Sequence, residues 1–198
     1  IATDAPAALQ RMTPDYTAAL QGEDGQACED GSCEPETQVE ARTDFAQCAR
    51  GSGKDCGHLP TIGASEWLNA LGEPHGTVTL VDFWSSSCVN CAREIPEIER
   101  IYEKYKDAGL VVIGVHSPQQ AHERDASVVS GAASRLGITY PVALDPDLEA
   151  FQAYGATAWP THYLAGPDGQ LRSVGRGTSG LEEQVRALLT EAGATLPD

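Results

Sequence analysis

The sequence predicts an α/β domain: a central mixed β-sheet flanked by helices, with a loop-rich N-terminal extension. Three observations lead there. Two runs rich in β-branched and aromatic residues, TVTLVDFW (77–84) and LVVIGVHS (110–117), enclose a segment of helical period. A strand–helix–strand order of about 40 residues is a βαβ unit, which requires parallel strands joined by a right-handed crossover. Further on, THYLAGPDGQLRSVGRG (161–177) breaks at Pro-Asp-Gly, a turn signal between two strands, so an antiparallel hairpin joins the same sheet. Residues 1–57 lack apolar periodicity. The stretch LQGEDGQACEDGSCEPETQVEARTD within them is acidic and glycine-containing, and reads as loop or linker. The boundaries are therefore an extension over 1–57 and a domain over 58–198.

Within the domain, SEWLNAL (65–71) places a capping serine before apolar residues at helical spacing and predicts a helix. TVTLVDFW follows as a buried strand. From Val89 to Tyr105, Ile95, Ile98, Ile101, Tyr102 and Tyr105 keep a 3.6-residue period, with Pro96 inside the helix as a bend. LVVIGVHS is the second buried strand. Val128, Val129, Ala132, Ala133 and Leu136 give a helix over 126–136, ITYPVALD (138–145) a short strand, and Leu148–Tyr154 a helical turn. The hairpin leads to a last helix near 180–192. Its buried face is Leu181, Val185, Leu188 and Leu189, and Ser179 with Glu182 forms a capping-box pattern at its start.

Composition narrows the function. The chain has 198 residues and a net charge of −16 from 29 acidic and 13 basic side chains, the opposite of the basic footprint that nucleic-acid binding needs. No run approaches the roughly 20 apolar residues of a membrane helix, so no direct membrane insertion is expected. The sequence opens on Ile1 without a signal-peptide pattern, as a processed form or an excised fragment would.

The six cysteines form three sequence-local pairs: Cys28/Cys33, Cys48/Cys56 and Cys88/Cys91. An even count at short spacing suits an oxidising compartment. The first two pairs read as structural disulfides in a segment with little core of its own, although sequence does not choose the pairing. Cys88 falls where strand passes into helix, and Cys91 one turn further on. Unpaired N–H groups and the positive end of the helix dipole favour a thiolate at Cys88, the form that attacks disulfides. Cys91 lies deeper on the same face, placed to resolve a mixed disulfide. Three other uses of the pair compete: half of a zinc site, an inert staple, and a Cu(I) site of Cys88, Cys91 and a later histidine such as His116. The expectation is that no metal or other cofactor is needed. His58, His75, His122 and His162 show no ligand spacing, and His116 at a strand end is ambiguous.

VDFWSSSCVNC (81–91), GLVVIGVHSP (109–118) and AWPTHYLAGPDGQLRSVG (158–175) together resemble a thioredoxin-like domain of the TlpA/ResA-like family. GHLPTIGASEWLN (57–69), GVHSPQ (114–119) and RLGITYPVALD (135–145) are similar to one subgroup, the extracytoplasmic domain of DipZ-type, CcdA-fused cytochrome c biogenesis proteins. The resemblance covers about residues 45–192 and implies a thioredoxin fold. It also implies roles. Cys88 matches the nucleophile, Cys91 the resolving cysteine, and Asp82 the buried aspartate that relays a proton. Trp84 matches the tryptophan packed under the active-site loop, and Pro160 a cis-proline facing the dithiol, so that the backbone of Trp159 pairs with a substrate peptide. Ser87, Val89 and Asn90 depart from the tryptophan and Gly-Pro of ordinary thioredoxins, so the potential does not carry over. Trp159, in place of a small residue, narrows the groove.

The resemblance thus implies an extracytoplasmic thiol–disulfide oxidoreductase, acting as a reductase on exported proteins and fed by a CcdA-like membrane electron donor. A Cys88-dependent peroxidase and a non-enzymatic Cu(I) module on the same fold are the alternatives.

Overall fold

A computed structural model describes residues 56–70 and 72–197. The assignments made above to Cys28, Cys33 and Cys48, and to the extension before residue 56, lie outside the described residues. The elements are β1 (Trp67–Leu68), β2 (Val78–Trp84), α1 (Val89–Tyr105), β3 (Leu110–His116), α2 (Ala126–Leu136), β4 (Val142–Leu144), α3 (Glu149–Ala153), β5 (Thr161–Ala165), β6 (Leu171–Gly175) and α4 (Leu181–Glu191). Short 3₁₀ turns follow α1 (Lys106–Ala108) and precede α2 (Ala121–Arg124).

The strands form a six-stranded sheet in the order β1-β4-β3-β2-β5-β6. β2, β3 and β4 are parallel, while β1, β5 and β6 run antiparallel to their neighbours. The mixed sheet expected from the βαβ unit and the hairpin is therefore present. Its physical basis is the continuous apolar character of β2 and β3. Both are buried on two faces, as inner strands covered by helices must be.

Side-chain alternation along β2 divides the core. Val78, Leu80 and Trp84 point into a layer shared with Ile95, Ile98 and Ile101 of α1, Val129 of α2 and Val185 of α4. Val81 and Phe83 point the other way, to Ile62, Phe151, Tyr154 and Tyr163. Asp82 belongs by the same alternation to the α1 side. Each fully buried isoleucine of α1 contributes roughly 1.5–3 kcal/mol of apolar burial. Gly109, at φ +103°, ends the turn after α1, and its carbonyl accepts from the N–H groups of Thr77 and Val78 at the start of β2.

Three local expectations are corrected. Among the described residues of SEWLNAL, SEWLNA (65–70), there is no helix: Trp67 and Leu68 pair antiparallel with Ala143 and Val142. Asn69 takes φ +60° and donates from Nδ2 to the carbonyls of Ile138 and Tyr140. An open sheet edge and a side chain suited to a left-handed turn override helical spacing here. The capping box at α4 is also absent. Gly180 is the N-cap with no side-chain cap, and Glu182 instead accepts from Tyr105 Oη at 2.9 Å and pairs with Arg100 of α1. The strand read over 138–145 contracts to Val142–Leu144.

Candidate active site

β2 ends at Trp84, and the loop Ser85–Ser87 turns the chain into α1, whose N-cap is Cys88. Cys88 and Cys91 are disulfide-bonded, with Cα atoms 5.3 Å apart. The Cys88 sulfur also accepts the N–H of Cys91 at 3.2 Å, one of the donors a helix start leaves unpaired. Cys91 is buried in the core layer under α1, whereas Cys88 is only partly buried and Val89 and Asn90 face solvent. The two sulfurs thus differ in access in the sense that nucleophile and resolving thiol require.

Asp82 is 1% exposed and sits opposite His162 of β5 in the antiparallel register, so both side chains project toward α1. His162 Nε2 lies 3.2 Å from Oδ1 of Asp82 and 3.4 Å from Oε2 of Glu94 on α1. These approaches lack hydrogen-bond alignment. Both Asp82 oxygens and His162 Nε2 are buried without a hydrogen-bond partner among the described residues. Burial opposes the imidazolium, but Asp82 and then Glu94 outweigh it and raise the pKa of His162.

A second buried carboxylate holds the loop before Cys88. Glu123 accepts from Ser85 Oγ (2.9 Å), Ser86 Oγ (2.7 Å), Ser87 N (2.7 Å), Gln119 N (2.6 Å) and Gln120 N (2.9 Å). Burial pushes this carboxyl up, yet the bonds from Ser86, Ser87, Gln120 and Gln119 prevail and bring it down to about 2. His116, at the end of β3, accepts the Ser86 N–H at Nε2 (3.1 Å) and packs edge-on against Trp84. Its Nε2 lone pair is thereby used, which leaves that nitrogen no role as a copper ligand.

Burial pushes His116 down to about 4, against the pull of Glu123. Its folded pKa is below the ordinary 6.5, so the unfolded chain binds the extra proton first, and stability falls as pH drops from about 6.5 to about 4. The expected loss is on the order of 3 kcal/mol, read as a lower denaturant midpoint at pH 4.5 than at pH 7. His116→Gln, which keeps an acceptor for Ser86, should flatten that slope.

Trp84 is fully buried, and Gly114 makes its place on β3: a Cβ at Gly114 would lie 3.0 Å from the indole Nε1. The Trp159–Pro160 peptide bond is cis. The Trp159 ring is half-buried and stacked on Phe151 with centroids 4.4 Å apart, so it is braced from the far core layer. Cys56 is itself disulfide-bonded. Among the described residues, no helix is long and apolar enough to cross a membrane.

Sequence reasoning did not single out Glu94, Glu123 or His162 as part of the site. Glu94 was within reach, since it lies three residues after Cys91 on the same helical face. His162 needed the β2–β5 register. Glu123 carried only the local signal of a capping box with Gln120, while the loop it holds lies 36 to 38 residues away in sequence.

A thioredoxin-like sheet with a Cys-x-x-Cys disulfide at the first turn of its helix defines a thiol–disulfide oxidoreductase. The chain belongs to the AhpC/TSA family, which its residues 66–174 match. It is 39% identical to protein DipZ of Mycobacterium bovis over 98% of this chain, and it spans 30% of the length of that protein. It is 32% identical to the thiol-disulfide oxidoreductase YkuV of Bacillus subtilis, covering 65% of this chain and 91% of YkuV. The solution structure of a thioredoxin-like protein in the oxidised form superposes with a TM-score of 0.61 at 28% identity, over 68% of this chain and 96% of that one.

Proposed function

We propose that this chain is an extracytoplasmic disulfide reductase that passes electrons from a CcdA-like membrane domain to exported thiol proteins. The observation that carries the reading is the asymmetry of the dithiol, with Cys88 reachable at the helix start and Cys91 buried on the side of Asp82. The likeness to DipZ supports the membrane donor and the location outside the cytoplasm. The Cys88 thiolate attacks a substrate disulfide, forming a mixed disulfide and expelling one substrate thiolate. Cys91 then gives its proton to Asp82 and bonds to the Cys88 sulfur. The mixed bond breaks and the second substrate sulfur leaves as thiolate, so two electrons have passed to the substrate. Trp84 packs under the loop, Pro160 and the Trp159 backbone line the substrate side, and Val89 and Asn90 in the first helical turn adjust the potential.

Reduction potential tests the direction of flow. Equilibration of the Cys88–Cys91 pair against glutathione and dithiothreitol buffers is expected to give a value closer to about −270 mV, as in thioredoxin, than to about −120 mV, as in DsbA. A value at the oxidising end would make the chain a disulfide donor instead.

A further inference from the structure

We propose that His162 is the positioning residue of a proton path that links Asp82, through Glu94 and a small side cavity, to solvent. This inference rests on the reading above, in which Asp82 takes the proton of Cys91. A carboxyl shut inside the core cannot serve repeated turnovers unless that proton has an exit, and Asp82 is 1% exposed. His162 Nε2 approaches one oxygen of each carboxylate, at 3.2 Å for Asp82 and 3.4 Å for Glu94, so a small ring movement carries a proton from one to the other. Both Asp82 oxygens and His162 Nε2 are buried with no aligned partner, so no other hydrogen bond among the described residues holds them.

The exit is on the β6–α4 side. His162 lines a pocket of about 110 Å³ together with Ser173, Arg176, Ser179 and Gln184, which is large and polar enough to hold water. Glu94 accepts at Oε2 the N–H of Gly177, a residue of the pocket wall, at 3.2 Å, and its side chain is one-fifth exposed. The charged and titratable groups around the imidazole are Asp82 from β2, Glu94 from α1 and Arg176 from the pocket wall. Tyr140, whose hydroxyl burial keeps protonated, also feels the charge of Asp82. The raised pKa of His162 is consistent with an imidazolium held between two carboxylates.

The step balances. The sulfur of Cys91 forms its bond to Cys88 with the electron pair of its S–H bond, whose proton goes to Asp82. The Cys88–substrate bond breaks, and the substrate thiolate leaves with the electrons. The Nε2 proton of the His162 imidazolium passes to Glu94 and water, and the freed Nε2 lone pair then takes the proton from Asp82.

Imidazole ¹⁵N NMR on the wild-type protein, oxidised and reduced, provides the test. His162 should titrate above about 6.5 and shift its titration between the two redox states, and Asp82→Asn should lower it. His162→Gln, in a protein that keeps its thermal transition, should slow resolution of a preformed mixed disulfide about tenfold or more and flatten its pH profile over about pH 6 to 8. An identical His162 titration in both redox states overturns the proposal, as does a wild-type pH profile in His162→Gln. Should the variant not fold, the wild-type titration decides. Insulin-disulfide reduction by wild type separates the two readings: its absence removes the proposed function, while its presence with an unresponsive His162 removes only the proton path.

Discussion

Cys88→Ser is expected to lower disulfide reduction by more than about 10³-fold, to the background of dithiol reductant alone, without loss of fold. The reason is positional. Cys88 is the partly exposed sulfur of the pair and the N-cap of α1, where the Cys91 N–H already points at it, while Cys91 is buried, so no other accessible group in the first turn offers a nucleophile to a substrate disulfide. Cys91→Ser tests the other half of the mechanism. It leaves the attack intact and removes the resolving thiol, so mixed disulfides through Cys88 should accumulate and appear on non-reducing gels as adducts that dithiothreitol dissolves. If Cys91→Ser traps no partner under conditions where wild type is active, the two-cysteine exchange described here is wrong. The peroxidase alternative predicts a different pattern, hydrogen peroxide turnover that survives in Cys91→Ser when an external thiol is supplied.

Glu123→Ala should be the most damaging single change outside the dithiol. The carboxylate collects hydroxyl and amide donors from the loop before Cys88 and from Gln119 and Gln120, and alanine would strand them in a buried site. Removing the acceptor from a buried network of this kind costs about 3–5 kcal/mol, which for a domain of this size lowers the melting temperature by roughly 10 °C. Glu123→Gln is not a mild control, because its amide N–H₂ would face N–H donors where an oxygen now accepts. The pH dependence has a definite sign. A folded pKa of about 2 against an ordinary 4.5 means that the contribution is complete above about 4.5 and is lost as pH falls toward 2. That component, on the order of 3 kcal/mol, should be missing from the acid-unfolding curve of Glu123→Ala. Activity should fall as well, since the same bonds hold Ser85–Ser87 and through them the start of α1.

How much of this was legible beforehand depends on the range of the interaction. β2, α1, β3, α2, the β5–β6 hairpin and α4 all follow from periodicity within a single segment, because each buries a stripe or face of its own against the sheet. β1 did not, because Trp67–Leu68 is a strand only by virtue of the free edge of β4. The α4 cap failed for the related reason that Arg100 and Tyr105, from a distant helix, compete for Glu182.

The same distinction runs through the site. Sequence alone determined the βαβ unit and the Cys88–Cys91 spacing at a helix start, since each is written in neighbouring residues. Only the tertiary structure decided that His162 faces Asp82 and Glu94, that Glu123 gathers the loop before Cys88, and that His116 serves that loop with its lone pair. Those groups meet through strand register and chain crossings, and a charge buried by such a crossing takes its partners from whatever the fold brings within about 3 Å, not from its neighbours in sequence.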